Sequence, residues 1–381
     1  MIIQNGNIFG ISEVFKHGSI QIKDGKIKEI FYDDEKEISY HEDEIIDANG
    51  MYVIPGFVDI HFHGCMGNDF SDGTLKGLEE ITKYELSNGI TDIVPATMTL
   101  SEDTLKKVFG VAAEFSFEEG SNLQGITMEG PFVSKEKKGA QNEAYIQKPN
   151  VEFFRKMQKK SGNLIKQVVI APEEDKNYEF IKEISKEAIV SVGHTVADYE
   201  MSLKAFENGA THVTHLYNGM KEFGHRQPHV VGAAFDNENV FVELICDGVH
   251  IHPSMVRAAF KLFGAKRICM ISDSIRATGM EEGNYSLGGQ EVSVKGNTAT
   301  LQDGTIAGSV VNLYDCFKIA IKQMHIPLED VILSCTKTPA KSLGIDNKCG
   351  ILTEGRKADF LILDKNLELM YIFKNGKIYN R

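Results

Sequence analysis

No stretch of the sequence approaches the ~18 uncharged apolar residues of a membrane-spanning helix, so no span is expected. The first ten residues have neither a basic flank nor an apolar run of signal-peptide length, so no export signal is expected either. Cysteine is sparse: Cys65, Cys246, Cys269, Cys316, Cys335 and Cys349 are scattered over 381 residues, and none forms a C-x-x-C pair. This excludes a disulfide scaffold and points to free thiols in a reducing compartment. The expected location is therefore cytoplasmic. Positive charge is also in short supply. A formal net charge of −13 counts against nucleic acid or an anionic membrane surface as a partner. It does not count against a phosphorylated ligand, because one local Arg can hold a phosphate inside an acidic protein. The phosphate-loop pattern G-x-x-x-x-G-K-[ST] is missing, and Gly288-Gly289 reads as a turn. Low-complexity segments and long repeats are absent as well.

What is present is a 42% hydrophobic composition, enough for a sizeable core. Both ends of the chain are β-rich. Residues 1–50 hold short apolar runs with Asp24-Gly25 as a hairpin signal, and residues 351–381 repeat the pattern with Asn375-Gly376. One small β-sandwich domain built from 1–50 and 351–381 is expected. Between them the pattern alternates. Strands are expected near 52–60, 90–97, 123–128, 166–170, 188–192, 210–214, 240–245 and 267–271. Helical periodicity fills 75–87, 103–115, 151–160, 174–186 and 197–207. Eight strand–helix units predict an α/β fold, a (β/α)8 TIM-like barrel over 51–350. A β-hairpin insertion is expected near 280–306, followed by helices over 310–323 and 328–343.

Chemistry in such a barrel occurs where the strands end. Strand one ends in Asp59-Ile60-His61-Phe62-His63, strand three in Met128-Glu129-Gly130-Pro131, and strand five in Gly193-His194-Thr195. Strand six ends in Thr214-His215-Leu216-Tyr217-Asn218, strand seven in Asp247-Gly248-Val249-His250, and strand eight in Ser272-Asp273-Ser274. Any one of these has an ordinary explanation as a hydrogen-bonded His or a capping Asp. Together they crowd ionisable groups at one rim, where burial is costly without a partner. A divalent cation supplies that partner. His61 and His63 are i, i+2 on a strand and share a face. Glu129, His194 and His215 come from three strands that converge on the axis. Imidazole and carboxylate ligands suit Zn, Fe, Mn or Co, one or two ions per subunit. His212, inside strand six, reads as a packed histidine, and His225 and His229 as loop residues flanking Arg226. Lys137 and Lys138 read as solvated loop charges. Asp59 reads as a bond to the strand end or to a ligand. Cys65 and Cys246 lack a paired base and are not read as nucleophiles.

The pattern resembles the amidohydrolase superfamily: H-x-H on strand one, His on strands five and six, and Asp on strand eight. The finer blocks Glu129-Gly130-Pro131-Phe132, Lys138-Gly139-Ala140-Gln141 and His215-Leu216-Tyr217-Asn218-Gly219-Met220 resemble one branch of it. That branch hydrolyses the acetamide of N-acetylglucosamine 6-phosphate. The resemblance implies Glu129, His194 and His215 as the main metal ligands, with His61 and His63 available to a second ion. It implies Asp273 as catalytic acid–base and His250 as a sugar contact. It also implies Asn218 and Gly219 as backbone donors to phosphate, and Ala307 as a further substrate contact. Arg226 matches an arginine delivered from the neighbouring subunit, which implies a homodimer. Gln141 stands where some members carry a substrate-contacting His.

Two other readings compete. Cyclic-amide hydrolases of the dihydroorotase or hydantoinase kind usually bridge two metals with a carboxylated Lys on strand four. Strand four here ends in Ile170-Ala171-Pro172-Glu173, without a Lys. A non-catalytic scaffold that kept the barrel is the reading from another class, and the intact Glu129, His194, His215 and Asp273 set speaks against it.

Overall fold

The computed structural model describes residues 1–33 and 44–379. Strands from both ends of the chain pair in a single sheet. Its order runs Lys377–Tyr379, Leu369–Lys374, Phe360–Leu363, Tyr52–Pro55, Ile2–Phe9, Phe15–Lys23, Lys26–Tyr32, with Ile45–Asp47 also on Ile2–Phe9. The two hairpin signals act as expected. Asp24 and Gly25 have φ 52° and 74°, Asn375 and Gly376 have φ 50° and 73°, and each pair joins adjacent antiparallel strands. Two consecutive left-handed residues are what a tight two-residue turn requires, and Asn-Gly or Asp-Gly meets that at least cost. The sheet packs its own apolar cluster, which includes Ile3, Ile20, Val53, Phe360 and Phe373.

The expected strand 52–60 is two elements. Tyr52–Pro55 belongs to the terminal sheet, and after Gly56 the strand Phe57–Asp59 starts a different, parallel array. That array is a curled parallel arrangement in two sheets, Phe57–Asp59 with Ile90–Ile93 and Asn122–Leu123, then Ile126–Met128, Ile165–Ile170, Ile189–Val192, His212–Val213, Phe241–Ile245 and Ile268–Ile271, bridged between Ala96 and Thr127. A backbone bond from the Thr127 amide to the Pro95 carbonyl joins Ile126–Met128 to the segment after Ile90–Ile93, and the Asp273 amide links the end of the array to its beginning, donating to the His61 carbonyl at 3.0 Å. The strands are buried except at half-buried Asn122, Leu123, Lys166, Ile189 and Phe241, while the helices bury one face each. Leu75–Ser87 shows why they form: Thr74 caps it through the Gly77 amide, and Leu78, Ile81 and Leu86 share the buried side.

Two helices depart from expectation. The stretch 174–186 is α-helical only over Glu179–Ile184, with a 3-10 turn over Lys176–Tyr178 before it. The Asp175 carboxylate takes the amides of Phe180 and Ile181, and Asn177 and Tyr178 sit at positive φ. A short acidic side chain that bonds nearby backbone competes with a continuous helix. The stretch 328–343 divides into Leu328–Cys335 and Lys337–Ser342 at Thr336 (φ −132°, ψ −88°), and Pro339 brings no N–H to carry the ladder through. His229, read as a loop residue, opens the helix His229–Asp236. The 280–306 insertion is a three-stranded antiparallel sheet, Gly283–Leu287, Gln290–Lys295 and Thr298–Thr300. Among the described residues no helix is long and apolar enough to cross a membrane.

Candidate metal centre

A parallel sheet covered on both faces should be apolar throughout. Its exceptions are therefore informative. Gln167, His212 and Glu243 all lie inside strands with no exposed surface. His212 stacks on Phe241 with ring centroids 5.4 Å apart, and burial pushes its pKa down to about 4. It is a neutral packed histidine, as its position inside the strand predicts. Glu243 is different. Its carboxylate takes the His61 ring nitrogen Nδ1 at 2.9 Å, the His215 backbone amide at 3.3 Å and the Gln167 amide. It orients two of the candidate ligands from below the rim. Sequence reasoning missed it, although a lone carboxylate within Phe241-Val242-Glu243-Leu244-Ile245 was the visible signal.

Above Glu243 the candidate ligands converge. His194 and His215 each place Nε2 beside Glu129 Oε1, at 3.2 and 3.1 Å, and the two nitrogens lie 3.1 Å from each other. His61 Nε2 is 3.4 Å from the same oxygen, and His63 Nε2 is 3.5 Å from Glu129 Oε2. His63 Nε2 also lies 3.4 Å from Asp273 Oδ1. The ligand atoms fall into two groups, Glu129, His194 and His215 in one, His61, His63 and Asp273 in the other. The assigned strand stops at Asp59, so His61 and His63 project from irregular backbone just beyond it and not from a regular strand face. Asp59 ties that segment down, accepting from the His61 amide at 3.2 Å and the Ser272 hydroxyl at 2.6 Å. Burial pushes its pKa up to about 7.

The donor chemistry fits a cation. His194 Nδ1 lies 2.8 Å from the Lys137 carbonyl and His215 Nδ1 lies 3.1 Å from the Asn218 carbonyl. A carbonyl only accepts, so each neutral ring carries its proton on Nδ1 and turns a bare Nε2 lone pair inward. Glu243 imposes the same tautomer on His61, whose Nε2 has no hydrogen-bond partner. Lone pairs and a carboxylate oxygen aimed at one buried point repel one another unless a positive charge stands among them. The same convergence of negative charge favours a proton on the rings. Burial pushes His61, His63 and His194 downward, but the Glu129, Glu243 and Asp273 carboxylates outweigh it and hold all three above the usual histidine value. Burial would likewise raise Glu129 and Asp273, yet the surrounding imidazoles hold both below the usual carboxylate range.

Local backbone serves this geometry. His194, His215 and Asp273 have φ 46°, 28° and 51°, a sparsely populated conformation for such residues that turns each side chain into the rim. Gly219, at φ 60°, passes over the rings, and a Cβ there would stand 3.1 Å from His194 Nδ1. A pocket of about 270 Å³ opens above the cluster, lined among others by Gln141, Asn218, Gly219, His250, Ile306 and Gly308. His250 is held through Nδ1 by Asp247 Oδ2 at 2.7 Å, and Asp247 Oδ1 accepts two backbone amides. Ala307 is buried between the lining residues Ile306 and Gly308 and is not itself at the pocket surface. Arg226 and His225 are exposed, and Arg226 does not line this pocket. Glu173, at the end of strand four, accepts the Val196 amide at 2.7 Å and likewise stays out of the lining. Cys65 and Cys246 are buried, and burial pushes both thiols up, away from the reactive thiolate.

This strand-end cluster on a curled parallel sheet defines a class. Residues 52–380 match the family described as the amidohydrolase family, and the chain belongs to it. Several of its relatives in that family carry one name. The chain is 36% identical to the N-acetylglucosamine-6-phosphate deacetylase of Bacillus subtilis (strain 168), over 99% of this chain and 96% of that protein. It is 35% identical to the Lysinibacillus sphaericus protein of the same name, over 99% and 97%. Among solved structures, the Thermotoga maritima N-acetylglucosamine-6-phosphate deacetylase superposes with a TM-score of 0.88 at 29% identity, covering 100% of both chains. A mutant of the Mycobacterium smegmatis enzyme, in complex with N-acetyl-D-glucosamine-6-phosphate, superposes with a TM-score of 0.91 at 26% identity, over 100% of this chain and 99% of that one.

Proposed function

We propose that the chain hydrolyses the acetamide of N-acetyl-D-glucosamine 6-phosphate to D-glucosamine 6-phosphate and acetate, as a step in amino-sugar breakdown. It is a hydrolase acting on a linear amide bond. The observation that carries this reading is the convergence of His194 Nε2, His215 Nε2 and Glu129 Oε1 beside Asp273 in one pocket. The reading takes the curled sheet as a closed (β/α)8 barrel over 51–350, on the strength of the backbone bond from Asp273 to His61. It takes the terminal sheet, from 1–50 and 351–381, as a second domain.

Glu129, His194 and His215 would hold the first ion, and His61 and His63 are available to a second; Zn, Fe, Mn or Co suits such donors. A divalent ion bound by these residues would supply Lewis-acid polarisation of the amide carbonyl and would lower the pKa of a water from 15.7 to about 7. Asp273 does the proton chemistry. Its carboxylate, kept ionised by His63, accepts the proton of the attacking water and then returns it to the departing amine nitrogen. His250 keeps Nε2 for the sugar because Asp247 occupies Nδ1. The phosphate takes the backbone amides of Asn218 and Gly219. No Lys or Arg lines the pocket among the described residues. The reading therefore brings Arg226 from the other subunit of a homodimer, which its exposed position on this chain allows. The six free thiols favour a reducing, cytoplasmic setting.

Acetate release from a panel of acetamido sugars tests the substrate. The 6-phosphate is expected to be used about 10- to 100-fold better than the free sugar, the size of one or two charge-assisted hydrogen bonds. Equal use of both would remove the phosphate from the account, and a preference for cyclic amides would favour the dihydroorotase-like reading instead.

Two further results follow from the cluster. Glu243→Leu leaves His61 Nδ1 and the His215 backbone amide without their acceptor, so affinity for the ion should fall about 10- to 100-fold, as when other supporting partners of metal ligands are removed. Titration of chelator-treated protein measures this. Uptake should also depend on pH. The neighbouring carboxylates hold His61, His63 and His194 above the usual histidine value, so protons compete with the ion for these nitrogens. Binding must expel those protons, so affinity should weaken from pH 8 to pH 6 and protons should appear in weakly buffered solution. Uptake with no proton release would contradict the assignment.

A further inference from the structure

Gln141 stands where resemblance alone suggested a sugar contact, and its surroundings fit another role. It is 2% exposed. Its Oε1 accepts the backbone amide of Thr99 at 2.7 Å, and its Nε2 donates to Glu129 Oε2 at 2.6 Å. The two ends of a carboxamide are easily interchanged in a structure, so the orientation needs an argument. Here only one orientation works. Thr99 N–H can only donate and therefore needs the carboxamide oxygen, and an ionised Glu129 can only accept and therefore needs the NH2. The reverse orientation would set donor against donor and acceptor against acceptor. The same nitrogen lies 3.9 Å from Met98 Sδ, so the second amide proton is engaged as well. Both donors are spent inside the protein and none is left for a ligand.

The anchor is itself fixed. The Thr97 amide donates to the Thr127 carbonyl at 3.0 Å, which ties the segment before Thr99 to the strand that ends one residue ahead of Glu129. Glu129 needs such a tether. Rotation about the terminal bond of a Glu side chain is broad and roughly two-fold, so packing alone does not choose which oxygen faces which neighbour. In this chain the choice is made. Oε1 meets Nε2 of His194, His215 and His61 at 3.2, 3.1 and 3.4 Å, while Oε2 meets Gln141 and, at 3.5 Å, His63.

We infer that Gln141 is a positioning residue for Glu129, which presents Oε1 to the His194–His215 pair and so sets how tightly the chain holds its cation. The role rests on the metal reading above. It separates Gln141 from the residues that grip the sugar. The side chain acts through Glu129 and touches no reacting atom.

The test is a cobalt(II) titration of chelator-treated wild type, Gln141→Leu and Gln141→Asn, followed by the visible absorption of the bound ion. Leucine removes both polar ends. Asparagine keeps a carboxamide that can satisfy Thr99, so the loop retains its acceptor, but it is one methylene too short to reach Glu129 as well. Both variants are expected to bind cobalt about 10- to 100-fold more weakly, the usual range for losing a partner of a metal ligand. Their spectra should differ from wild type. At saturating cobalt, KM for the phosphosugar should stay within about threefold of wild type, because binding interactions with the sugar are untouched. Unchanged cobalt affinity in a folded variant, with KM raised instead, would overturn the role and return Gln141 to the sugar. A wild type that takes up no cobalt would overturn both this role and the metal reading. Tight wild-type binding with equally tight variants would overturn the role alone.

Discussion

Replacement of Asp273 by Asn is expected to lower turnover about 10²- to 10⁴-fold, the range for losing a positioned general acid–base, while the first ion stays bound. The substitution is close to a pure test of chemistry. Asn has the same shape and tolerates the left-handed conformation at φ 51° that the position imposes. It keeps the backbone bond from residue 273 to the His61 carbonyl. What it loses is a group that can take a proton and give it back. The group of Glu129, His194 and His215 does not involve residue 273, so metal content from that group should not change. Turnover at saturating substrate and elemental analysis on the same sample measure both halves of the statement. A variant with turnover near the wild-type value would remove Asp273 from the mechanism.

The second large effect is expected at the ligands. His194→Ala or His215→Ala leaves two inward-facing donors where three had met, one of them the Glu129 carboxylate, which is 2% exposed. Loss of a ligand should cost more affinity than the ~10- to 100-fold that follows loss of a supporting partner. Each variant should therefore emerge from purification without its ion and without activity. The contrast with Glu243→Leu matters, since that change acts one layer further out and should weaken the ion without abolishing it. Full metal content in either His variant would mean that the imidazoles serve some other purpose.

Much of this arrangement was legible before any coordinates. Alternating apolar and helical stretches placed the strand ends, and the ionisable residues at those ends were the ones that meet. The hairpins at Asp24-Gly25 and Asn375-Gly376 followed from backbone chemistry alone. Other features were not legible, each for a physical reason. Glu243 hides in the middle of an apolar strand, where periodicity registers only that the segment is a strand. Its purpose depends on His61, 182 positions away. The division of the ligands into two groups came from the family resemblance and not from spacing, which does not encode how the strand ends are directed in space; that Asp273 joins His61 and His63 was not legible. The helix breaks at Asp175–Tyr178 and Thr336 arise from side chains and backbone competing over single hydrogen bonds, below the resolution of a hydrophobic pattern. The join at Gly56 was invisible because both flanking strands are equally apolar. Gln141 was visible, but its direction was not, since only the Thr99 amide reveals which end of the carboxamide faces Glu129.

The account depends on one meeting of donors. Anomalous diffraction from crystals of the cobalt-loaded wild-type protein tests it most directly. A peak is expected about 2.0–2.2 Å from His194 Nε2, His215 Nε2 and an oxygen of Glu129, the distances of nitrogen and carboxylate ligands. A cobalt peak elsewhere on the chain, with these three side chains turned away from one another, would contradict it.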